Sequence, residues 1–345
     1  ASPAAAPDPA QIARGAYLAR AGNCQYCHSA PGGPDWAGGR AIETPFGTIY
    51  SSNLTPAVGS GLGDWNRTDF WRALHHGRAR DGRLLYPAFP YPAYSALRRS
   101  DADDLFAFLR SLAPVEQSQL PATLGWPYNT QAALALWRAL YFRPAQHTDD
   151  SRQTPAWNRG AYLVNTLGHC GSCHTPRNRL GAALPERALG GERLPLGQGY
   201  APSLLDPTQA GLADWPEADI TALLQTGISR RASSSGVMAL VVLHSTQYLH
   251  PDDLRAMAEY LKKLPGAAPA ADQRSSASPP DPAGMVLYQR HCADCHGAQG
   301  EGVPGAYPAL AGNRALLLQD TTNLLQITLY GGFAPATPVS YTHLT

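Results

Sequence analysis

The sequence predicts an all-α protein made of three tandem copies of one helical unit, the third incomplete. Three observations predict it. A five-residue motif recurs three times along the 345 residues. An amphipathic helical pattern precedes each copy. Matching helix start and stop signals follow the first two copies.

The motif uses every cysteine of the chain. It reads C-Q-Y-C-H at 24–28, C-G-S-C-H at 170–174 and C-A-D-C-H at 292–296. C-x-x-C-H is the attachment signature of c-type haem. Two thiols one helical turn apart reach the two vinyl groups on one porphyrin edge. The adjoining His then ligates the iron from the proximal side. A zinc site would need a second ligand pair for each C-x-x-C, and no Cys remains to supply one. Disulfides would not require a His after every second Cys. Three covalently bound haems c are therefore expected. Cys24, Cys27, Cys170, Cys173, Cys292 and Cys295 hold them, with His28, His174 and His296 on the iron. Covalent attachment places the chain outside the cytoplasm.

The elements follow in order. R-G-A-Y-L-A-R-A-G-N leads into the first motif, R-G-A-Y-L-V-N-T-L-G-H into the second, and the looser G-M-V-L-Y-Q-R-H into the third. Downstream, G-L-G-D-W (61–65) and G-L-A-D-W (211–215) open a second helix in repeats one and two. Pro216 suits the first turn, and Gly77 and Gly227 suit the C-terminal stop. In the third repeat T-N-L-L-Q-I-T-L-Y-G-G ends at Gly331. Trp65 and Trp215 read equally as core packing and as haem contacts. A last helix closes repeats one (101–112) and two (251–264), with acidic residues in its first turn, the favourable side of the dipole. Gly15 and Gly160 would let this helix cross the first one closely, against Phe106 or Phe108 and against Tyr260.

These signals set the expected boundaries. Residues 1–112 form the first unit, 159–264 the second and 284–345 the third. Residues 265–283 read as an extended Pro/Ala/Ser linker. Residues 113–158 contain an unusually apolar helix, L-G-W-P-Y-N-T-Q-A-A-L-A-L-W-R-A-L-Y-F-R-P. It either packs between units one and two or offers its surface to a partner or a membrane.

A sixth iron ligand is expected from a loop after the middle helix. Met238 lies 64 residues after His174 and 11 after Gly227. It is the expected ligand of the second haem, because a thioether favours Fe(II). Met257 lies on an apolar helix face and reads as core; Met285 reads as a helix-face residue. Phe89, in Y-P-A-F-P-Y, is 61 residues after His28 and 12 after Gly77. It stands where Met238 stands, and a phenyl ring cannot ligate iron. The first haem then has an open face, takes a His such as His75 or His76, or receives a group from another unit. After His296 only 49 residues follow. His343 lies 12 past Gly331, but the tail V-S-Y-T-H-L-T reads as foreign, so the native chain is expected to continue.

Composition excludes some classes. The net charge is +1, charged residues are 15%, and no basic stripe appears. Nucleic acid is therefore not an expected partner. The apolar stretches fall short of the ~20 residues a spanning helix needs. The start, A-S-P-A-A-A-P-D-P-A, reads as a mature terminus after signal cleavage, and a fragment would read the same.

Taken together, W-N-R-G-A-Y-L-V-N-T-L-G-H-C-G-S-C-H-T-P-R-N (157–178), A-S-S-S-G-V-M-A-L-V-V-L-H-S-T (232–246), A-Y-P-A-L-A-G-N and L-Y-G-G-F-A-P-A-T carry a resemblance. The chain resembles the three-haem cytochrome c subunit of bacterial membrane-bound dehydrogenases that oxidise alcohols, aldehydes, gluconate, sorbitol or fructose. The resemblance implies three tandem cytochrome c-like domains and iron ligation by His28, His174, His296 and Met238. It implies no catalysis by the chain itself. Electrons would come from a separate dehydrogenase catalytic subunit and leave to membrane ubiquinone, with peripheral attachment to the periplasmic face of the cytoplasmic membrane. Such relatives carry Y-P-A-M-P-Y where this chain has Phe89, and continue past its end with a G-M-P segment and a terminal helix. The alternatives are a soluble periplasmic shuttle and a haem peroxidase acting at an open first site.

Overall fold

A computed structural model describes residues 8–266, 281–303 and 307–332. Most of the expected linker, His343 and the terminal residues lie outside the described residues.

Among the described residues the fold is mainly α. The helices are α1 (Pro9–Ala21), α2 (Cys24–Cys27), α3 (Arg67–His76), α4 (Tyr91–Tyr94), α5 (Arg99–Arg110), α6 (Gln131–Tyr141), α7 (Pro155–Asn165), α8 (Gly171–His174), α9 (Glu217–Thr226), α10 (Gly236–His244), α11 (Pro251–Lys262), α12 (Pro282–His291), α13 (Ala293–His296) and α14 (Thr322–Tyr330). Five short strands depart from the all-α expectation. The hairpin β1 (Ala41–Thr44) and β2 (Gly47–Tyr50) pairs Ala41 with Tyr50, and β3 (Thr123–Leu124) adds to β2. β4 (Glu192–Arg193) pairs with β5 (Tyr200–Ala201). The alternation I-E-T and T-I-Y around P-F-G is the local cause of the hairpin.

Two compact units result. The first comprises residues 1–154, 162–172 and 178–182, and the second 155–161, 173–177 and 183–345.

In the first unit, Asp8 caps α1 by accepting from the Ala10 amide at 3.0 Å, with Pro9 in the first turn. Asn66 and Asp69 form a reciprocal capping box on α3, and Gly77 ends it at φ 54°. α1 crosses α5 where Gly15 meets the Asp104 carbonyl and Phe108; a Cβ there would overlap both. Arg14 to Asp104 at 2.8 Å pins the crossing. Leu18, Leu105, Leu109, Phe70 and Phe106 fill the core beneath it.

Residues 162–172 pack into this same unit. Tyr162 is fully buried; its hydroxyl donates to Asp101 at 2.6 Å and accepts from the Arg98 amide at 3.1 Å. Arg98 also lies over its ring at 4.7 Å.

In the second unit α7 crosses α11 in the same way. Gly160 meets the Ala256 carbonyl and Tyr260, and Arg159 pairs with Asp253 at 2.7 Å. Met257 is 2% exposed among Leu254, Leu261, Ile220 and Trp215, the core position expected of it. Pro216 caps α9 rather than standing in its first turn, and Gly227 ends it at φ 76°. The third repeat joins this unit through Arg193–Asp320 at 2.6 Å, Tyr200–Asn323 at 2.8 Å and Arg314–Asp214 at 2.6 Å. Among the described residues α12 has no crossing helix. Val286 and Leu287 face solvent, and a Cβ on Gly284 would meet only its own N-cap, Asp281.

Candidate haem-binding sites

Each motif sits on a single helical turn entered by a sharp change of direction. At the first, Asn23 takes φ 53° between α1 and α2, and the His28 amide closes the turn on the Cys24 carbonyl at 3.0 Å. His28 Nδ1 then faces the Ser52 carbonyl at 2.7 Å. His174 Nδ1 faces the Pro202 carbonyl at 2.8 Å, and His296 Nδ1 the Pro308 carbonyl at 2.9 Å. A ring nitrogen that faces a carbonyl must carry the proton, so Nε2 presents its lone pair. That is the tautomer a metal requires, fixed by a partner outside the ligand set.

A second restraint repeats with the first. The carbonyls of His28, His174 and His296 accept from the amides of Gly38 (2.8 Å), Gly191 (2.8 Å) and Gly302 (2.7 Å). All three glycines have φ between 68° and 86°, a region open to them because they lack a Cβ. Each His is thus held at both ring and backbone.

The sequence reading missed these six partners. Their signal is present nonetheless: Ser52, Pro202 and Pro308 each stand two residues before a Leu, in S-N-L, P-S-L and P-A-L.

The electrostatics suit a neutral ring and a protonated thiol. Desolvation pulls His28 and His174 below the usual imidazole range, opposed in part by the Ser52 and Pro202 carbonyls. Desolvation, then Cys27, pushes the Cys24 thiol up to about 12. A redox thiol has the opposite character, a depressed pKa. The buried Trp215 indole N–H has no acceptor among the described residues, as expected of a donor awaiting an anionic group. Tautomer, thiol spacing and orphan donor all fit a c-type haem.

Met238 is not on a loop. It is half-buried in the first turn of α10. The equivalence with Phe89 nonetheless acquires a structural basis. The Gly77 carbonyl accepts from Leu85 at 2.8 Å and the Gly227 carbonyl from Ser234 at 2.7 Å. Phe89 lies four residues past Leu85, and Met238 four past Ser234. Phe89 packs against Tyr94 at 5.5 Å and Tyr91 at 6.5 Å, just ahead of α4. His75 is buried, stacked on Trp71 at 4.6 Å and bonded to the Ser95 backbone, while His76 is exposed at the helix end. Trp65 is half-buried.

Comparison with known proteins agrees with this geometry. Residues 158–265 and 282–331 match the cytochrome c family. The chain is 38% identical to the cytochrome c subunit of the quinone-type alcohol dehydrogenase of Gluconacetobacter polyoxogenes, over 95% of this chain and 74% of that one. It is 37% identical to the gluconate 2-dehydrogenase cytochrome c subunit of Pantoea cypripedii, over 97% and 80%. It is also 37% identical to a dihaem c-type cytochrome of Cereibacter sphaeroides, over 74% and 86%. The chain belongs to the cytochrome c family, in the group that includes these dehydrogenase subunits; it is a haem-binding, electron-transfer cytochrome.

Proposed function

We propose that this cytochrome is the electron-transfer subunit of a periplasmic dehydrogenase complex, that it carries three haems c, and that it passes electrons to the membrane quinone pool. The observation that carries the reading is the repeated restraint on His28, His174 and His296. Three rings held in one tautomer by one pattern support three equivalent proximal ligands.

A bound haem c supplies a one-electron Fe(III)/Fe(II) couple. The chain's residues do the rest. Cys24 with Cys27, Cys170 with Cys173, and Cys292 with Cys295 anchor the porphyrin edge by thioether bonds. The three histidines, with Nδ1 facing a carbonyl, would offer their Nε2 lone pairs to the iron. Met238, in the first turn of α10, would be the further iron ligand at the second site. Phe89 closes the equivalent face of the first site without ligating. Phe89, standing at the place that Met238 takes in the second repeat, supports a first site lacking a strong sixth ligand.

The third site is incomplete among the described residues, in keeping with a domain whose crossing helix is not among them. No helix of the described residues is long and apolar enough to cross a membrane. The reading includes peripheral attachment at the periplasmic face.

The test mixes the holoprotein with the dehydrogenase catalytic subunit in detergent. Adding the dehydrogenase's substrate should reduce the haem absorption bands, and a ubiquinone analogue should reoxidise them. Haems that stay oxidised while the dehydrogenase turns over with an artificial acceptor would overturn the proposal.

A further inference from the structure

Beyond the exposed Gln131, the outward face of α6 carries only apolar side chains. Ala132, Ala135, Leu136, Ala139 and Leu140 are exposed, Leu136 at 63% and Leu140 at 58%. The inward face is separately satisfied. Leu134 and Phe142 are buried, and Trp137 donates to the Leu180 carbonyl at 2.9 Å. Arg138 donates to the His76 carbonyl at 2.6 Å and lies over Phe142 at 4.7 Å. The outer stripe is therefore a second apolar surface, left uncovered once the unit has folded. Single exposed apolar residues need no explanation; a contiguous stripe marks an interaction surface. Aromatic residues stand at both ends, Trp126 at 83% exposure and Tyr141 at 42%. Rings with a polar atom occupy such positions at a membrane–water boundary.

Charge selects a bilayer over a protein. Between Glu116 and Asp149 there is no carboxylate. Exposed arginines lie near α6 instead. Arg143 follows the helix, and Arg78, Arg80 and Arg83 lie in the loop that follows α3. That loop is tied to the start of α6, because the Gln131 side chain bonds both the Leu84 amide (2.7 Å) and its carbonyl (3.2 Å). Its one carboxylate, Asp81, is paired with Arg83 at 3.2 Å. An apolar stripe whose rim is net cationic complements anionic headgroups over acyl chains. At 11 residues α6 cannot span a bilayer, so it lies in the plane of the surface.

We propose that α6 is the membrane-docking element of this cytochrome, seated in the interface of an anionic bilayer with Leu136 and Leu140 inserted. The proposal rests on peripheral membrane attachment and specifies the surface responsible.

Holoprotein is co-sedimented with phosphatidylcholine vesicles, with and without phosphatidylglycerol. Binding is expected to the anionic vesicles and to weaken with salt. Leu136→Glu with Leu140→Glu should lower the partition coefficient at least about tenfold. Unchanged haem absorption and circular dichroism would show that the variant is folded. Equal binding by variant and wild type overturns the assignment to α6 and leaves membrane attachment standing. Failure of the wild type to bind overturns both, while reduction in detergent reports on electron transfer independently. A variant that binds vesicles normally but no longer binds the dehydrogenase catalytic subunit would make this face a protein interface, which also overturns the proposal.

Discussion

A thioether and a phenyl ring differ at an iron site in one decisive respect: only the sulfur has a lone pair to give. Phe89 and Met238 occupy equivalent positions, four residues past the amide that closes on each C-cap glycine. Phe89→Met should therefore add a second thioether–iron charge-transfer band, and Met238→Leu should abolish the one expected in the wild type. Near-infrared magnetic circular dichroism reads both; a band that survives Met238→Leu would contradict the assignment. Tyr162 makes a different residue-scale prediction. Its hydroxyl serves Asp101 and Arg98 inside the first unit, so Tyr162→Phe leaves a carboxylate short of a donor. The expected cost is ~1–3 kcal/mol, read as a lowered urea midpoint. At this scale the three C-x-x-C-H motifs and the matching spacing of Phe89 and Met238 stand in the sequence itself, because side-chain identity carries them. The carbonyl partners of His28, His174 and His296 left only the weak mark of a Leu two residues on, because a backbone carbonyl carries no residue type of its own.

Helix pairs dominate the next scale. Gly15 and Gly160 are the positions where a Cβ would strike the backbone of the crossing helix. Gly160→Ala should destabilise the second unit by ~1–3 kcal/mol through overpacking, with a matching effect of Gly15→Ala on the first. Thermal unfolding of each variant checks it. The seam between the second and third repeats gives a pH prediction. Asp320 is held below its usual range by Thr322 first and Arg193 second. A depressed carboxylate contributes stability that is present above the unfolded value and is lost as pH falls through the folded one. The holoprotein should thus lose urea resistance below about pH 4, and Asp320→Asn should flatten that loss. Most helices were legible from caps and periodicity, including both left-handed stops at Gly77 and Gly227. The first turn of α10 was not, because V-M-A-L-V-V-L is apolar on every side and shows no period. The two-residue strands pair over too short a stretch to leave an alternation.

Across the whole molecule, the packing of residues 162–172 into the first unit could not be read from the sequence. Tyr162 meets Asp101 across 61 residues, and no local pattern encodes such a contact. Between the first two repeats the likeness was legible, since motif, helix and glycine stop recur together; the third shares the motif and its leading helix. The account turns on that repeat holding three haems on one chain. Intact-mass spectrometry of the denatured holoprotein tests this most directly, because thioether-linked haem survives denaturation. The account predicts the polypeptide mass plus three haems. A homogeneous preparation carrying two or fewer would contradict it.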